Sequence, residues 1–136
     1  MKIVLDTNVL VSGMINPSGA PGRIVDMIRA GTLQMVVDDR ILAEYADVLR
    51  RPEMRPYFSA KDTEAILDFL YHDAEHALAT ICITGLADPD DAPFLEVALA
   101  AGVPLVTGNA RHFPVEKRSG CTVLSPGEFI ARFCTS

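Results

Sequence analysis

Apolar residues occur along this chain in two arrangements, short uninterrupted runs and longer stretches with helical spacing. The first run, Ile3-Val4-Leu5, contains no alternating polar position, so it predicts a strand buried on both faces, as in a parallel sheet. Apolar and β-branched runs predict four further strands, over residues 33–37, 78–83, 103–107 and 122–124.

Apolar positions three and four residues apart predict helices between these strands. Six helices are expected, over about 9–14, 23–30, about 40 to Pro52, Ser59 to about 74, 94–101, and a last one opened by Pro126. We expect Thr7 or Asn8 to cap the first of them, because their side chains can accept from free helix N–H groups. Residues 16–22, Asn-Pro-Ser-Gly-Ala-Pro-Gly, predict a loop before the second helix.

The alternation of strands and helices extends over the whole chain and predicts the fold class. We expect an α/β protein in which residues 1–136 form a single domain, a three-layer α/β/α sandwich around a parallel sheet. A chain of 136 residues is long enough for one domain with a sizeable core.

The net charge of −6 bears on the class of function. A module that holds nucleic acid mainly by neutralising phosphates would normally be basic, so this class is disfavoured. An enzyme whose acidic site binds divalent cations remains compatible with the charge, because the metal then supplies the positive charge.

The chain has the features of a protein that stays in the cytoplasm. No apolar run approaches the roughly 20 residues that a membrane helix needs, and no signal peptide is evident, so we expect no membrane contact. Cys82, Cys121 and Cys134 are an odd number without C-x-x-C spacing, which predicts buried, reduced thiols rather than disulfides or a zinc site.

Polar residues that follow the predicted strands are the first candidates for chemistry. Because the carboxyl ends of parallel strands face one edge of a sheet, and ligands bind at that edge, we expect these residues to converge in space. They are Asp6 after the first strand, Asp88, Asp90 and Asp91 after the third, and Thr107 and Asn109 after the fourth.

Glu44 joins these candidates from the helix after the second strand. It lies three residues after Ile41 and four before Val48, and therefore on the apolar face of that helix. Carboxylates held together repel one another unless they share a proton or bind a cation, and oxygen ligands favour Mg²⁺ or Mn²⁺. Such a site suits metal-assisted phosphodiester hydrolysis. The alternative is that each Asp only caps a helix and that Glu44 reaches solvent.

Four segments, in order and over nearly the whole chain, resemble PIN-domain ribonucleases. The closest subgroup is the bacterial PIN toxins of toxin–antitoxin pairs, the VapC-like group. The segments are V-L-D-T-N-V-L-V-S at 4–12, I-L-A-E-Y-A-D-V-L at 41–49, D-P-D-D-A-P-F-L-E-V-A at 88–98 and V-T-G-N-A-R-H-F at 106–113.

The resemblance implies an Mg²⁺- or Mn²⁺-dependent endoribonuclease directed at single-stranded RNA. It assigns the three core acids to Asp6, Glu44 and Asp91, with Asp88 as a helper. The family's fourth position is often Asp but is Asn109 here, which retains an acceptor oxygen without the charge. The resemblance also implies a cognate antitoxin and a homodimer.

Other residues are expected to seat the RNA. Thr107 is the small hydroxyl expected next to the scissile phosphate, and Asn8 is a further substrate-binding candidate. A net-acidic enzyme still needs positive charge at the rim of its pocket. Arg111 is the first candidate because it follows Asn109 in the same loop, and Arg23, Lys117 and Arg118 are further candidates.

Three alternatives remain open at this point. His72-Asp73-Ala74-Glu75-His76 fits H-x-x-E-H, an inverted zinc-protease pattern, although no third ligand is evident downstream. A receiver-like signalling domain would share the strand-end Asp residues, but the Lys it needs after the fifth strand is absent. A catalytically degenerate PIN fold that serves only as an interaction partner is the third, and Asn109 keeps it open.

Overall fold

Five parallel strands form one sheet at the centre of the molecule. The computed structural model describes residues 1–133. The strands lie in the order β3-β2-β1-β4-β5, so β1 is central and β3 and β5 are the edges. Their bounds are β1 Lys2–Leu5, β2 Gln34–Val37, β3 Glu75–His76, β4 Leu105–Val106 and β5 Val123–Leu124.

Within residues 1–133, six α-helices cover the sheet and complete the expected three-layer α/β/α sandwich. They are α1 Thr7–Ile15, α2 Ala20–Arg29, α3 Asp39–Leu49, α4 Ala60–Asp73, α5 Ala92–Ala101 and α6 Pro126–Phe133. The chain moves from β1 outward to β3, and then returns past β1 to β4. Because such crossovers are right-handed, α1 to α4 lie on one face of the sheet and α5 on the other. Helix α6 packs against α2 and β5.

The core is built around β1, whose uninterrupted apolar run predicted this position. Ile3, Val4 and Leu5 are fully buried, and they contact one continuous apolar cluster. Tyr45 and Phe94 are two of the largest fully buried side chains, with ring centroids 6.4 Å apart, and the Tyr45 hydroxyl reaches the Leu5 carbonyl at the end of β1. A rigid core under the carboxyl edge of the sheet fixes the side chains that follow each strand.

Two expectations about the amino-terminal helices are wrong. Neither Thr7 nor Asn8 caps α1, because both side chains bond to other parts of the chain. The second helix begins at Ala20 rather than at Arg23, since Pro21 is tolerated in a first helical turn.

The third strand differs most from the expectation. Residues 78–83 were predicted as a strand, but β3 is only Glu75–His76, and Leu78 is 93% exposed. Pairing stops because β2 ends at Val37, whose carbonyl accepts the Ala77 N–H at 2.8 Å as the last bond of this ladder. The apolar run therefore continues along the surface without a neighbouring strand.

The expectation of buried cysteines is also partly wrong. Cys82 is an exposed free thiol in the irregular segment after β3, and Cys121 is a partly buried free thiol. Burial raises the pKa of the Cys121 thiol. Cys134 lies outside the described residues. Within residues 1–133, no helix is both long and apolar enough to cross a membrane.

Candidate active site

The register of the central strands places Asp6 beside Thr107. Leu5 pairs with Val106 in the parallel ladder between β1 and β4. Asp6 and Thr107, which follow these two residues, therefore lie side by side. Thr107 Oγ1 donates to Asp6 Oδ2 at 2.7 Å, and Asp6 N–H donates to the Val106 carbonyl at 2.9 Å. Asp6 is 6% exposed and Thr107 is fully buried, so this carboxylate is held in one orientation at the carboxyl edge of the sheet.

Asp6 and Asp91 do not act as side-chain caps, although each stands at the start of a helix. Neither side chain makes a capping hydrogen bond with α1 or α5. Asp38, by contrast, accepts the Ile41 N–H at 3.0 Å, and Asp88 accepts the Asp90 N–H at 2.9 Å. Simple capping therefore explains Asp38 and Asp88, and leaves the buried carboxylate of Asp6 and the partly buried carboxylate of Asp91 without a capping role in their helices.

Glu44 turns toward the same edge from α3. Its Oε2 accepts a hydrogen bond from the hydroxyl of Thr7, the residue next to Asp6. The following residue, Tyr45, is fully buried and donates its hydroxyl to the Leu5 carbonyl, which fixes α3 against the end of β1. Glu44 is half-buried and does not extend away into solvent, contrary to the capping alternative.

Asp91 lies in the cluster at the start of α5, and its neighbour is His112. The side chain of Asp91 is 14% exposed, and its Oδ2 lies 3.2 Å from His112 Nδ1. That oxygen is buried and makes no hydrogen bond of acceptable geometry within the described chain. A buried carboxylate oxygen that makes no well-formed hydrogen bond is suited to a bound ion.

The pKa of each of the three acids is raised above its ordinary value. Burial is the main cause that raises the pKa of Asp6, of Glu44 and of Asp91, the last to about 6. The Asp6 carboxylate adds to the shift at Glu44 and Asp91, and Asp88 adds to it at all three. The Thr107 hydroxyl lowers the pKa of Asp6, and the Thr7 hydroxyl lowers that of Glu44. His112 lowers the pKa of both Asp6 and Asp91. The cluster therefore carries more negative charge than its surroundings accommodate.

The remaining predicted site residues surround this cluster. Asn8 Oδ1 accepts the Gly108 N–H at 3.3 Å, which joins the start of α1 to the turn after β4. Asn109 N–H donates to Thr107 Oγ1 at 3.0 Å, so the hydroxyl of Thr107 links Asn109 to Asp6. Asp88 is exposed and precedes the short 3₁₀ helix Pro89–Asp91.

The cations expected to hold RNA divide into two groups. Arg111 is exposed in the 3₁₀ helix Ala110–His112, and Arg23 and Lys117 are exposed as well. The guanidinium of Arg118 instead bonds the Phe113 carbonyl through Nε at 2.6 Å and the Ala110 carbonyl through an Nη at 3.4 Å. The charged group of Arg118 therefore holds the turn that carries Arg111, and a contact of Arg118 with RNA stays a prediction.

The zinc alternative is wrong, because the two histidines do not share a helix. His72 lies in the last turn of α4, 3.3 Å from Asp68, whereas His76 belongs to β3. Glu75, between them, pairs with Lys2 at 2.6 Å. The H-x-x-E-H pattern thus spans a helix end and an edge strand.

The donor set at the carboxyl edge fits a hard divalent cation. Carboxylate oxygens are the ligands that Mg²⁺ and Mn²⁺ prefer, and the buried Oδ2 of Asp91, which makes no hydrogen bond of acceptable geometry within the described chain, can take part. Within residues 1–133, no three His, Cys, Asp or Glu side chains form a ready-made metal site. Metal binding at this edge is accordingly a proposal that rests on the chemistry of the donors.

Several residues that shape the site were missed from the sequence. Thr7 and Tyr45 anchor Glu44 and its helix, and His112 lies against Asp91. The position of His112, three residues after Asn109 in a turn that follows a strand end, was the available signal. No sequence signal pointed to the contact of Thr7 with Glu44, because a Thr at the start of a helix is more often a cap.

Comparisons with known proteins agree with this architecture. The family model described as PIN domain matches residues 2–111. The uncharacterized protein MJ1680 of Methanocaldococcus jannaschii is 30% identical over 112 residues, which is 80% of this chain and 71% of that protein. The crystal structure of VapBC2 from Rickettsia felis, bound to a DNA fragment from their promoter, contains a chain that matches with a TM-score of 0.58 and 16% identity. The match covers 92% of this chain and 98% of that one, and it shows a shared fold.

Proposed function

This chain belongs to the PIN-domain family, and we propose that it is an Mg²⁺- or Mn²⁺-dependent endoribonuclease that hydrolyses phosphodiester bonds in single-stranded RNA. The observation that carries the proposal is the cluster of Asp6, Glu44 and Asp91 at the carboxyl edge of the sheet, in which the Asp6 carboxylate raises the pKa of both other acids and neither Asp6 nor Asp91 caps its helix. Family membership also removes the support for a receiver-like signalling domain.

Asp6, Glu44 and Asp91 would hold the cation, with Asp88 and Asn109 at the rim of the same site. When bound, the cation supplies a Lewis acid that activates water and offsets the charge of the scissile phosphate. Asn109 contributes a neutral oxygen where a carboxylate would add charge, which favours one tightly held cation over two.

The other residues orient the acids and the RNA. Thr107 fixes the Asp6 carboxylate, and Thr7 fixes that of Glu44, so both acids are in place before the RNA arrives. Asn8 lies at the start of α1 and Arg111 in the 3₁₀ helix Ala110–His112, where an amide and a guanidinium suit phosphate and sugar oxygens. The local charge of Arg111 offsets the acidity of the chain as a whole.

Cleavage assays with matched substrates test this proposal. We expect the protein to cut a single-stranded RNA in Mn²⁺ or Mg²⁺ but not in EDTA, and to leave duplex RNA and single-stranded DNA intact. The Asp68→Asn variant, which changes an exposed carboxylate on α4, should cut like the wild type. A protein that binds single-stranded RNA and cuts none of it in either cation would instead be a catalytically degenerate interaction partner.

We propose further that this nuclease is the toxin of a toxin–antitoxin pair and that it forms a homodimer. The motif resemblance to VapC-like toxins supports this role. Expression of the chain alone in a bacterium should arrest growth, and co-expression of the small protein encoded next to it should restore growth. Light scattering of the purified chain tests the dimer. Growth that is unaffected by an RNA-cleaving chain would contradict the toxin role without affecting the nuclease.

A further inference from the structure

We propose that a cavity beside the carboxylate cluster binds one nucleobase of the RNA and gives cleavage a base preference at one position near the cut. The cavity has a volume of about 380 Å³ and lies between the start of α3 and the chain that follows β3. It is lined by Asp38, Asp39, Arg40, His76, Ala77, Leu78 and Ala79. The inference rests on the proposed nuclease function and names a substrate subsite for it.

The Arg40 guanidinium is held as a fixed plane in the wall of this cavity. One Nη donates to Glu96 at 2.6 Å, and Nε and the other Nη donate to Asp38 at 2.9 and 2.7 Å. Glu96 is only 5% exposed, while the Arg40 side chain is 48% exposed. The group is therefore anchored from within, and part of it remains open to solvent. Guanidinium planes of this kind stack on unpaired nucleobases.

His76 supplies a second flat group to the same cavity. Its Nε2 donates to the Tyr71 carbonyl at 2.7 Å, and its ring lies edge-on to the Tyr71 ring with centroids 5.2 Å apart. Leu78, next in the cavity wall, is almost fully exposed. An imidazole held by its neighbours and an unpacked apolar side chain suit the face of a base better than they suit a phosphate.

The position of the cavity connects it to the cleavage site. Val37 pairs with His76, and Ile3 pairs with Met35, so His76 stands level with the end of β1. β3 is two strands from β1, which places the cavity roughly 10 Å from Asp6 along the carboxyl edge. A nucleotide near the scissile phosphate can reach that far. Asp39, whose carboxylate is exposed, can accept a hydrogen bond from the amino group of such a base.

Sequencing of the cut ends from a randomised single-stranded RNA pool tests the subsite. We expect the wild type to favour an amino-bearing base over uracil at one position near the cut. Arg40→Lys keeps the positive charge but loses the planar guanidinium group, and His76→Ala removes the imidazole ring. Both variants should therefore weaken the base preference. We expect KM to rise about fivefold or more, with kcat within about twofold. Asp39→Asn should change which base is favoured.

Matched controls separate the cavity from general effects on the fold. Arg50→Lys changes an exposed Arg at the C-cap of α3 that pairs with Glu64, and His72→Ala changes an exposed His that pairs with Asp68. Both controls should keep the wild-type preference and KM. A wild type that cuts without any preference, or a preference that survives Arg40→Lys and His76→Ala, would overturn the subsite while leaving the nuclease function in place.

A binding measurement keeps the inference testable if no cleavage is seen. A single 2-aminopurine is placed at successive positions of a short single-stranded RNA, which is titrated with the Asp6→Asn protein. We expect quenching at one position, and loss of that quenching when His76→Ala is added but not when His72→Ala is added. Absence of quenching at every position, with RNA bound, would contradict the subsite whatever the outcome of the cleavage assay.

Discussion

The hydroxyl of Thr107 donates a hydrogen bond of 2.7 Å to Asp6 Oδ2, joining two residues that are 101 positions apart in the chain. Each of them follows the last residue of a central strand, and the parallel register of those strands brings them together. The same hydroxyl accepts the Asn109 N–H, so one buried oxygen orients the carboxylate and the turn that carries Asn109. The site is therefore built on the sheet itself.

Removing this hydroxyl should impair the nuclease more than the fold. In Thr107→Val the shape is kept but the donor is lost, and we expect cation affinity or RNA cleavage to fall about 10- to 100-fold. The Asn109 N–H loses its acceptor, so the free energy of unfolding should also fall by about 1–3 kcal/mol. Cleavage at saturating RNA and thermal unfolding measure the two effects.

Thr63→Val is the matched control for this variant. Thr63 is a fully buried Thr of α4 that bonds to Arg55 and to the Ser59 carbonyl, away from the carboxylates. It should lose a similar amount of stability and keep the wild-type cleavage rate. Equal losses of activity in the two variants would mean that Thr107 acts only through stability.

Much of the fold could be predicted from the chain because local pattern and tertiary structure agree. The apolar run of β1 and the helix that begins at Ser59 have the predicted roles. The run at residues 78–83 could not be placed correctly, since its β-branched residues suit a strand but no neighbouring strand extends beside it. Pairing partners are a tertiary property that a local pattern does not contain.

The candidate site could likewise be predicted only in part from the sequence. Asp6 and Glu44 could be singled out from the end of the first strand and from helix spacing. Asp91 was distinguished from Asp88 and Asp90 only by the family resemblance, and the strand expected before it is absent. The partners of these acids could not be predicted, because the Thr7–Glu44 and His112–Asp91 contacts depend on how α3 and the turn after β4 pack. The bonds of Arg118 to two backbone carbonyls could not be predicted for the same reason, since these carbonyls belong to a local turn that has no sequence pattern.

The raised pKa of Asp91 should make the cation-free protein less stable as pH rises. Its carboxyl group has a pKa of about 6 in the folded protein against 3.8 normally, so the folded state holds the proton more tightly between these values. Ionisation thus opposes folding, and stability should fall from about pH 4 to about pH 6 and then level off. Thermal melts in EDTA measure this, and Asp91→Asn should flatten the profile relative to Asp68→Asn.

A cation should reverse this dependence, because it binds the ionised carboxylates. We expect Mn²⁺ to raise the melting temperature more at pH 7.5 than at pH 5.5. A stabilisation by Mn²⁺ that is equal at both pH values, or that survives in Asp91→Asn, would place the cation elsewhere on the protein.

The ion pair between Arg40 and the buried Glu96 should contribute to stability. Arg40→Met leaves a carboxylate in the core without its cation, and we expect the free energy of unfolding to fall by about 1–3 kcal/mol, less than for a fully buried pair because Arg40 is half-exposed. Adding Glu96→Gln should recover part of the loss. Urea unfolding of the two single variants and the double variant gives the coupling energy between Arg40 and Glu96. Strictly additive changes in the free energy of unfolding would exclude this coupling.

The same Glu96 should protect one amide in an otherwise exposed segment. Ile83 N–H donates to Glu96 Oε2 at 2.8 Å, whereas residues 78–82 lie outside any strand. Hydrogen exchange followed by NMR should show fast exchange at 79–82 and slower exchange at Ile83, and Glu96→Gln should reduce the difference. Uniform protection over 79–82 would mean that the segment is a strand after all.

The central claim is that the carboxylate of Asp6 holds a cation for RNA cleavage and is not needed for the fold. Asp6→Asn keeps the shape and an acceptor oxygen for Thr107 but removes one charge from a crowded cluster. The decisive measurement compares the wild type and Asp6→Asn in cleavage of single-stranded RNA with Mn²⁺, beside thermal melts of both proteins in EDTA. We predict that Asp6→Asn cuts no RNA and melts at the same or a higher temperature, because like charges repel when no metal is bound. A variant that unfolds would make Asp6 structural, and a folded variant that cuts at the wild-type rate would contradict the assignment of the active site.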